Sequence, residues 1–112
     1  MNATEPKPDN EVNKTFPLPS VGDYVALKCF KYKDFVPQIA KLCNISESDV
    51  EVEWLDGTYT GIWVLWKDCG KVIAETFPRR AVIGARALTA SMRLKRNTIT
   101  TLKEVYASTE FV

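Results

Sequence analysis

Residues 49–57 have the sequence Asp-Val-Glu-Val-Glu-Trp-Leu-Asp-Gly, the clearest structural signal in the 112-residue chain. The two valines and the tryptophan alternate with glutamates, and this period of two is typical of a β-strand with one buried face. The Asp-Gly pair at the end of the stretch is a strong signal for a hairpin turn. The stretch therefore predicts a strand that turns tightly into a second strand.

Further strands are predicted on both sides of this stretch. Residues 22–30 alternate in the same way, and residues 35–42 form another strand in which Pro37 favours an edge or a bend. Residues 58–66 return from the turn, and residues 81–83 begin a last short strand or a single helical turn. Four or five short strands joined by hairpin turns predict a small β-barrel.

The C-terminal part changes to a helical pattern. Asn97 is a good N-cap, and residues 89–94 are compatible with a shorter helix before it. Apolar side chains follow Asn97 at helical spacing: Ile99, Leu102, Val105 and Tyr106. We expect this helix to pack on one opening of the barrel, whose own core is small.

Three segments are expected along the chain. Residues 1–19 are rich in Pro, Asn, Lys and Glu and are predicted to be disordered. Residues 20–88 are assigned to the barrel, and residues 89–112 to the helical extension. No apolar run approaches the length of a membrane span, so no membrane partner is expected.

Composition argues against an enzyme and against a metal site. The chain has no histidine, which removes Ser-His and Cys-His nucleophile pairs and histidine bases. Three cysteines without histidine fall short of the usual four zinc ligands. We therefore predict a binding module with reduced cysteines, no cofactor and no metal, in the cytosol or the nucleus.

The sequence also resembles a known family. The segments Gly22-Asp-Tyr-Val-Ala-Leu-Lys28, Phe35-Val-Pro-Gln-Ile-Ala-Lys-Leu42, Val50-Glu-Val-Glu-Trp-Leu-Asp-Gly57 and Trp63-Val-Leu-Trp-Lys-Asp68 resemble the Royal superfamily of chromatin reader barrels, in particular Tudor and PWWP domains. The resemblance covers about residues 21–83. It implies a mainly β, five-stranded SH3-like (Tudor-like) barrel with a C-terminal helical extension, a nuclear location and a methylated histone peptide as partner. The chain departs from the PWWP signature, since Phe35-Val-Pro37 has one aromatic residue where two tryptophans are expected.

The resemblance places candidate walls of an aromatic cage, which would attract a methylated lysine through cation–π contacts. These walls are Phe30 or Tyr32 at one position, then Phe35, Trp54 and Tyr59, with Trp63 as a substitute for Tyr59. Asp56 and Asp34 are the candidate carboxylates at the rim. Plain packing is the alternative for Trp54, which alternates with buried valines, and a turn role is the alternative for Asp56. Trp63 and Trp66 lie three apart, so on a strand one is expected in the core and the other exposed or under the helix.

Charge is unevenly placed and suggests a second candidate site. Residues 45–75 carry seven acids and two bases, a net charge of −5, and residues 76–112 carry seven bases and two acids, a net charge of +5. Basic side chains that could contact DNA phosphates are Arg79, Arg80, Arg86, Arg93, Lys95 and Arg96. The alternative is a solvated face that balances the acidic half. Three functions follow: a methyl-lysine reader, an adaptor that binds an unmodified peptide or complex subunit, and a nucleic-acid-binding barrel.

Overall fold

The computed structural model describes residues 19–108 and 110–112. Eight short strands precede one helix in the order β1 (Tyr24–Leu27), β2 (Gln38–Ile45), β3 (Asp49–Asp56), β4 (Val64–Leu65), β5 (Lys67–Asp68), β6 (Lys71–Val72), β7 (Ala74–Pro78), β8 (Val82–Gly84) and α1 (Arg96–Ala107). Two 3₁₀ turns, Phe30–Tyr32 and Arg79–Ala81, precede β2 and β8. The predicted disorder of residues 1–19 falls, except for its last residue, outside the described part of the chain.

One antiparallel sheet forms the body of the domain, with the strand order β4-β3-β2-β1-β8. β7 also pairs with β3, opposite residues 49–53, whereas β4 lies opposite Leu55 and Asp56. Because β2 occupies the other edge of β3, β4 and β7 follow one another along the same edge. The hairpin of β5 and β6 projects between them as a separate two-stranded sheet.

The mainly β architecture and the C-terminal helix are confirmed, but the closed five-stranded barrel is not. Within residues 19–108 and 110–112, no ladder joins β8 to β7 or to β4, so the sheet stays open. The chain turns sharply through Arg79–Ala81 after Pro78, which has no N–H to donate. β8 then pairs with only two residues of β1, across an irregularity between Ala26 and Leu27.

Alternate side chains of the central strands face two different cores. One core lies on the face of Val25, Leu27, Val52 and Trp54, and the other on the face of Ala26, Ile39, Leu55 and Trp63. Residues 87–94 and α1 cover this second face, where Leu102 is fully buried. Residues 25–27 of β1 and 38–40 of β2 are therefore buried on both faces, which stabilises a domain too small for one large core.

Tyr106 fixes α1 to the sheet. Its hydroxyl donates a hydrogen bond to the Leu27 carbonyl over 2.5 Å and accepts one from the Gln38 backbone N–H over 3.0 Å. Phe111 stacks on the same ring with centroids 6.2 Å apart, and Val112 exchanges backbone hydrogen bonds with Lys28 and Phe30. Helix α1 begins one residue before the predicted cap Asn97, with Lys95 at the N-cap.

Two expected elements are absent from the described residues. Of the strand predicted at residues 58–66, only Val64–Leu65 pairs as a strand, because residues 57–63 form a longer connection in which Trp63 turns into the second core. Residues 89–94 do not form a helix but a turn, which is closed by the bridge between Leu88 and Leu94.

No helix among the described residues is long and apolar enough to span a membrane.

Cys69 occupies a backbone conformation that suits asparagine better. Together with Gly70 it forms the two-residue turn between β5 and β6, and both residues have positive φ, 52° and 80°. Asparagine tolerates this left-handed region better than other side chains, and Asn-Gly is the preferred pair for such a turn. We expect Cys69→Asn to raise the free energy of unfolding by about 0.5 kcal/mol in urea denaturation. Asp68→Asn is the control and should be neutral; a loss of stability in Cys69→Asn would contradict the argument.

Candidate functional site

A carboxylate linked to two rings lies at the junction of β3, β7 and the first 3₁₀ turn. Glu75 Oε1 accepts hydrogen bonds from the Tyr32 hydroxyl and, over 2.8 Å, from Trp54 Nε1. Glu75 Oε2 lies 2.5 Å from Lys31 Nζ. The rings of Tyr32 and Phe77 both pack edge to face on Trp54, with centroids 5.1 and 5.6 Å away. This arrangement fixes the Tyr32 and Trp54 rings.

Hydrogen bonding sets the charge state of Glu75. Burial alone would raise the pKa of its carboxyl, but the bonds from Lys31, Tyr32 and Trp54 outweigh burial and hold the pKa below its ordinary value. Burial also raises the pKa of the Tyr32 hydroxyl, as does its bond to Glu75. Glu75 is therefore ionised at neutral pH and accepts charge-assisted bonds.

We expect Glu75→Gln to lower the free energy of unfolding by about 1–2 kcal/mol at neutral pH, because the charged acceptor is lost. A carboxyl whose pKa is lowered on folding contributes stability above its ordinary pKa, and this contribution disappears as the pH falls through the folded value. The variant should therefore approach the parent in acid, as measured by urea denaturation across pH. The exposed Glu51→Gln is the matched control, and an equal deficit at every pH would contradict this assignment.

Gln38 positions the polypeptide before β2. Its side-chain oxygen accepts a hydrogen bond from the Cys29 N–H over 2.7 Å, and its amide nitrogen donates to the carbonyls of Cys29, 3.1 Å, and Tyr32, 2.9 Å. Gln38 is buried, so these bonds are shielded from water. They hold the first 3₁₀ turn against β2 and fix the place where residues 34–37 cross the surface.

A groove of about 520 Å³ lies between that crossing and the end of β3. Its lining includes four of the six aromatic cage candidates, both candidate carboxylates and Trp66: Tyr32, Phe35, Trp54, Trp63, Asp34, Asp56 and Trp66. Phe35 and Trp66 are 72% and 42% exposed, whereas Trp54 and Trp63 are 4% and 2% exposed. The groove thus has a fixed inner wall and an exposed aromatic rim.

The other two cage candidates lie away from the groove. Phe30 is exposed, and the Lys33 ammonium sits 4.7 Å from its ring centroid. Tyr59 packs against the second core, with Lys103 Nζ 5.0 Å from its ring centroid. Neither ring lines the groove, so the structure does not bring Phe30 and Tyr59 together with the other candidates.

Trp63 lies under the groove with an unmet hydrogen bond. Its Nε1 is buried and has no acceptor among the described residues. A Cβ at Gly57 would lie 2.4 Å from the Trp63 ring, so the backbone of Gly57 closes directly over this indole. The pair of tryptophans follows the sequence expectation, since Trp63 is buried and Trp66 is exposed.

The predicted basic residues occupy two ends of the sheet. Arg79 donates to the Ser46 carbonyl at the turn before β3, whereas Arg93 donates to the Thr60 carbonyl after β3. Arg80 adjoins the first position and Lys95 and Arg96 the second, and Arg86 follows β8. All six side chains are exposed, but they do not line the aromatic groove.

Sequence reasoning missed Glu75, Lys31 and Phe77. Glu75 lies opposite Val52 only through the register of β3 and β7, which no local pattern specifies. Val36 and Pro37, which were not predicted either, also line the groove.

Within the described residues, no group of three His, Cys, Asp or Glu side chains could hold a metal ion.

The fold and the groove define a small, mainly β domain with an aromatic-lined surface site. The chain belongs to the family of NIPBL cohesin loader C-terminal domains, whose model matches residues 20–110. It is 36% identical over 93 residues to a Nipped-B-like protein of Mus musculus and 34% identical to that of Homo sapiens. Each match covers 79% of this chain but 3% of the relative, so the chain spans a small part of those proteins. No solved structure matches the chain.

This family membership corrects the sequence interpretation. The assignment to the Tudor and Royal barrels is wrong, because the family match extends from residue 20 through the helix to residue 110, whereas the Royal resemblance ended near residue 83. The function as a methyl-lysine histone reader is wrong with it. The resemblance rested on short alternating strands and tryptophans, which a small β-domain of another family also needs for its cores.

Proposed function

We propose that this chain is a nuclear interaction domain of a cohesin loader, which uses the aromatic groove to bind an unmodified segment of a partner protein. The observation that carries the proposal is the exposed aromatic rim of the groove in a chain of this family. The description of the family as a cohesin loader domain supports cohesin as the partner to test first. Binding, and not catalysis, is proposed because the chain has no histidine to serve as a base or nucleophile partner.

The groove has the properties of a peptide-binding surface. Exposed apolar rings such as Phe35 and Trp66 lose water contact when a partner covers them, and large aromatic side chains dominate the energy of many interfaces. A volume of about 520 Å³ accommodates a few side chains. The partner therefore needs to contribute only a short segment.

Rigidity of the inner wall favours affinity. Glu75 fixes Tyr32 and Trp54, and Gln38 fixes the backbone that leads into the rim. A surface whose shape is set before binding loses little conformational entropy when it is occupied. The same bonds keep the inner rings from collapsing into the groove.

Binding of the full chain to purified cohesin tests the proposal. The variant Phe35→Ala/Trp66→Ala should weaken binding by about tenfold or more in biolayer interferometry. The control is Val21→Ala/Ile62→Ala, which removes exposed apolar side chains outside the groove lining and should change affinity by less than about twofold. An absence of binding by the parent chain, or equal losses in both variants, would overturn the proposal.

A further inference from the structure

Two carboxylates of the groove have no counter-charge among residues 19–108 and 110–112. Asp34 lies before β2 and Asp56 ends β3, so they approach the groove from different segments. Both residues are exposed, and neither forms an ion pair with another described residue. Glu75 differs, since three donors already satisfy it.

The nearest lysines along the chain are engaged elsewhere. Lys31 pairs with Glu75, and the Lys33 ammonium lies over the Phe30 ring, outside the groove. The six basic side chains of the C-terminal half do not line the groove either. An occupant would therefore meet two negative charges beside exposed aromatic faces.

From this combination we infer that the segment bound in the groove carries an unmodified arginine, whose guanidinium is held by Asp34 and Asp56 and stacks on the exposed ring of Trp66 or Phe35. The inference rests on the proposed function and names the chemistry of the partner. Guanidinium is planar, so it stacks on aromatic faces while its N–H groups bind carboxylates in the same plane. It is also less strongly hydrated than an ammonium and loses less when an apolar groove covers it.

Apolar neighbours of this arginine complete the occupant. Val36 lines the groove beside Phe35, and its exposed side chain offers apolar surface but no charge to an aliphatic neighbour of the arginine. We therefore assign to the groove an extended segment of the partner in which the arginine lies between aliphatic residues. Each exposed charge pair and each cation–π contact is weak alone, so both acids and the rings are needed together.

The first test uses defined peptides with the full, ¹⁵N-labelled chain. Acetyl-Leu-Arg-Leu-amide should shift the signals of Asp34, Asp56 and the Trp66 indole in a saturable way. The lysine peptide should bind about threefold more weakly, and the uncharged glutamine peptide should leave these signals unmoved. Equal shifts with arginine and glutamine peptides, or shifts confined to residues outside the groove, would overturn the inference.

The second test separates this inference from the proposed function. Asp34→Asn/Asp56→Asn should weaken binding of the full chain to purified cohesin by about tenfold and reduce its salt dependence. The control is Glu47→Gln/Asp49→Asn, which removes two charges at the opposite end of β3 and should have little effect. If the asparagine variant binds like the parent while Phe35→Ala/Trp66→Ala loses binding, the arginine inference fails and the proposed function stands. If neither variant loses binding, both fail.

Discussion

Gly57→Ala is expected to lower the free energy of unfolding by about 3 kcal/mol, because the new methyl group has no room. A Cβ at residue 57 would lie 2.4, 2.7 and 2.8 Å from three ring carbons of Trp63, all far below van der Waals contact. The ring is 2% exposed and packs in the second core, so it can shift only by disturbing that packing. The backbone between β3 and β4 must move instead, and the groove deforms with it. Thermal and urea denaturation measure the loss.

Two variants separate the clash from a general effect of removing glycine. In Gly61→Ala the new Cβ meets only the Thr58 hydroxyl, at 2.8 Å, and this side chain can rotate away. We expect a change within about 0.5 kcal/mol there. A smaller side chain opposite the methyl group should relieve the strain, so Gly57→Ala/Trp63→Leu should lose less stability than the two single changes added together. Strict additivity would show that the two residues do not clash.

Leu102→Ala is expected to cost about 3 kcal/mol and to release α1 from the sheet. Leu102 is the one residue of α1 that is fully buried, and it packs in the second core with Ile39, Leu55 and Trp63. Its truncation removes the transfer energy of the side chain and leaves a cavity that rigid strands cannot close. Hydrogen exchange should rise along residues 96–107 before the strands β1–β3 lose protection.

The exposed Thr100 provides a control on the same helix. Its hydroxyl bonds only to the Arg96 carbonyl one turn earlier, so Thr100→Ala should leave stability within about 0.5 kcal/mol of the parent. A Leu102→Ala variant with unchanged stability would contradict the assignment of the second core. A variant with uniform loss of protection everywhere would show that helix and sheet unfold as one unit.

Local patterns predicted the elements whose stability depends on neighbours in sequence. The strand expected at residues 49–55 is β3, Asp49–Asp56, because the alternation and the buried face coincide. The helix predicted from apolar spacing is α1. Residues 58–66 are rich in strand-forming Thr, Tyr, Ile, Val and Trp, but most of them form a connection, because Trp63 packs on Gly57 and the second core. Tertiary packing, which propensity does not encode, decided that segment.

For the candidate site too, the sequence predicted some of the lining residues but missed a residue that only strand pairing brings there. The cage candidates indicated a surface site, and of these Phe35, Asp34 and Asp56 do line one groove with exposed side chains. Glu75, which bonds to Tyr32 and Trp54, could not be found from the sequence, since strand register brings it to Trp54 from 21 positions away. The chemistry of the ligand was misjudged because tryptophan-bearing strands resemble one another across unrelated families.

The bond between Tyr106 and Leu27 joins positions 79 residues apart, and this distance sets a condition on biosynthesis. During translation β1–β3 leave the ribosome first, with Ile39 and Leu55 uncovered. The second core is complete only after α1 has also emerged. Folding that depends on contacts between residues so far apart in sequence is slow. Intermediates with exposed apolar surface therefore persist for longer. Nascent chains of this domain should therefore depend on chaperones until translation has passed residue 106.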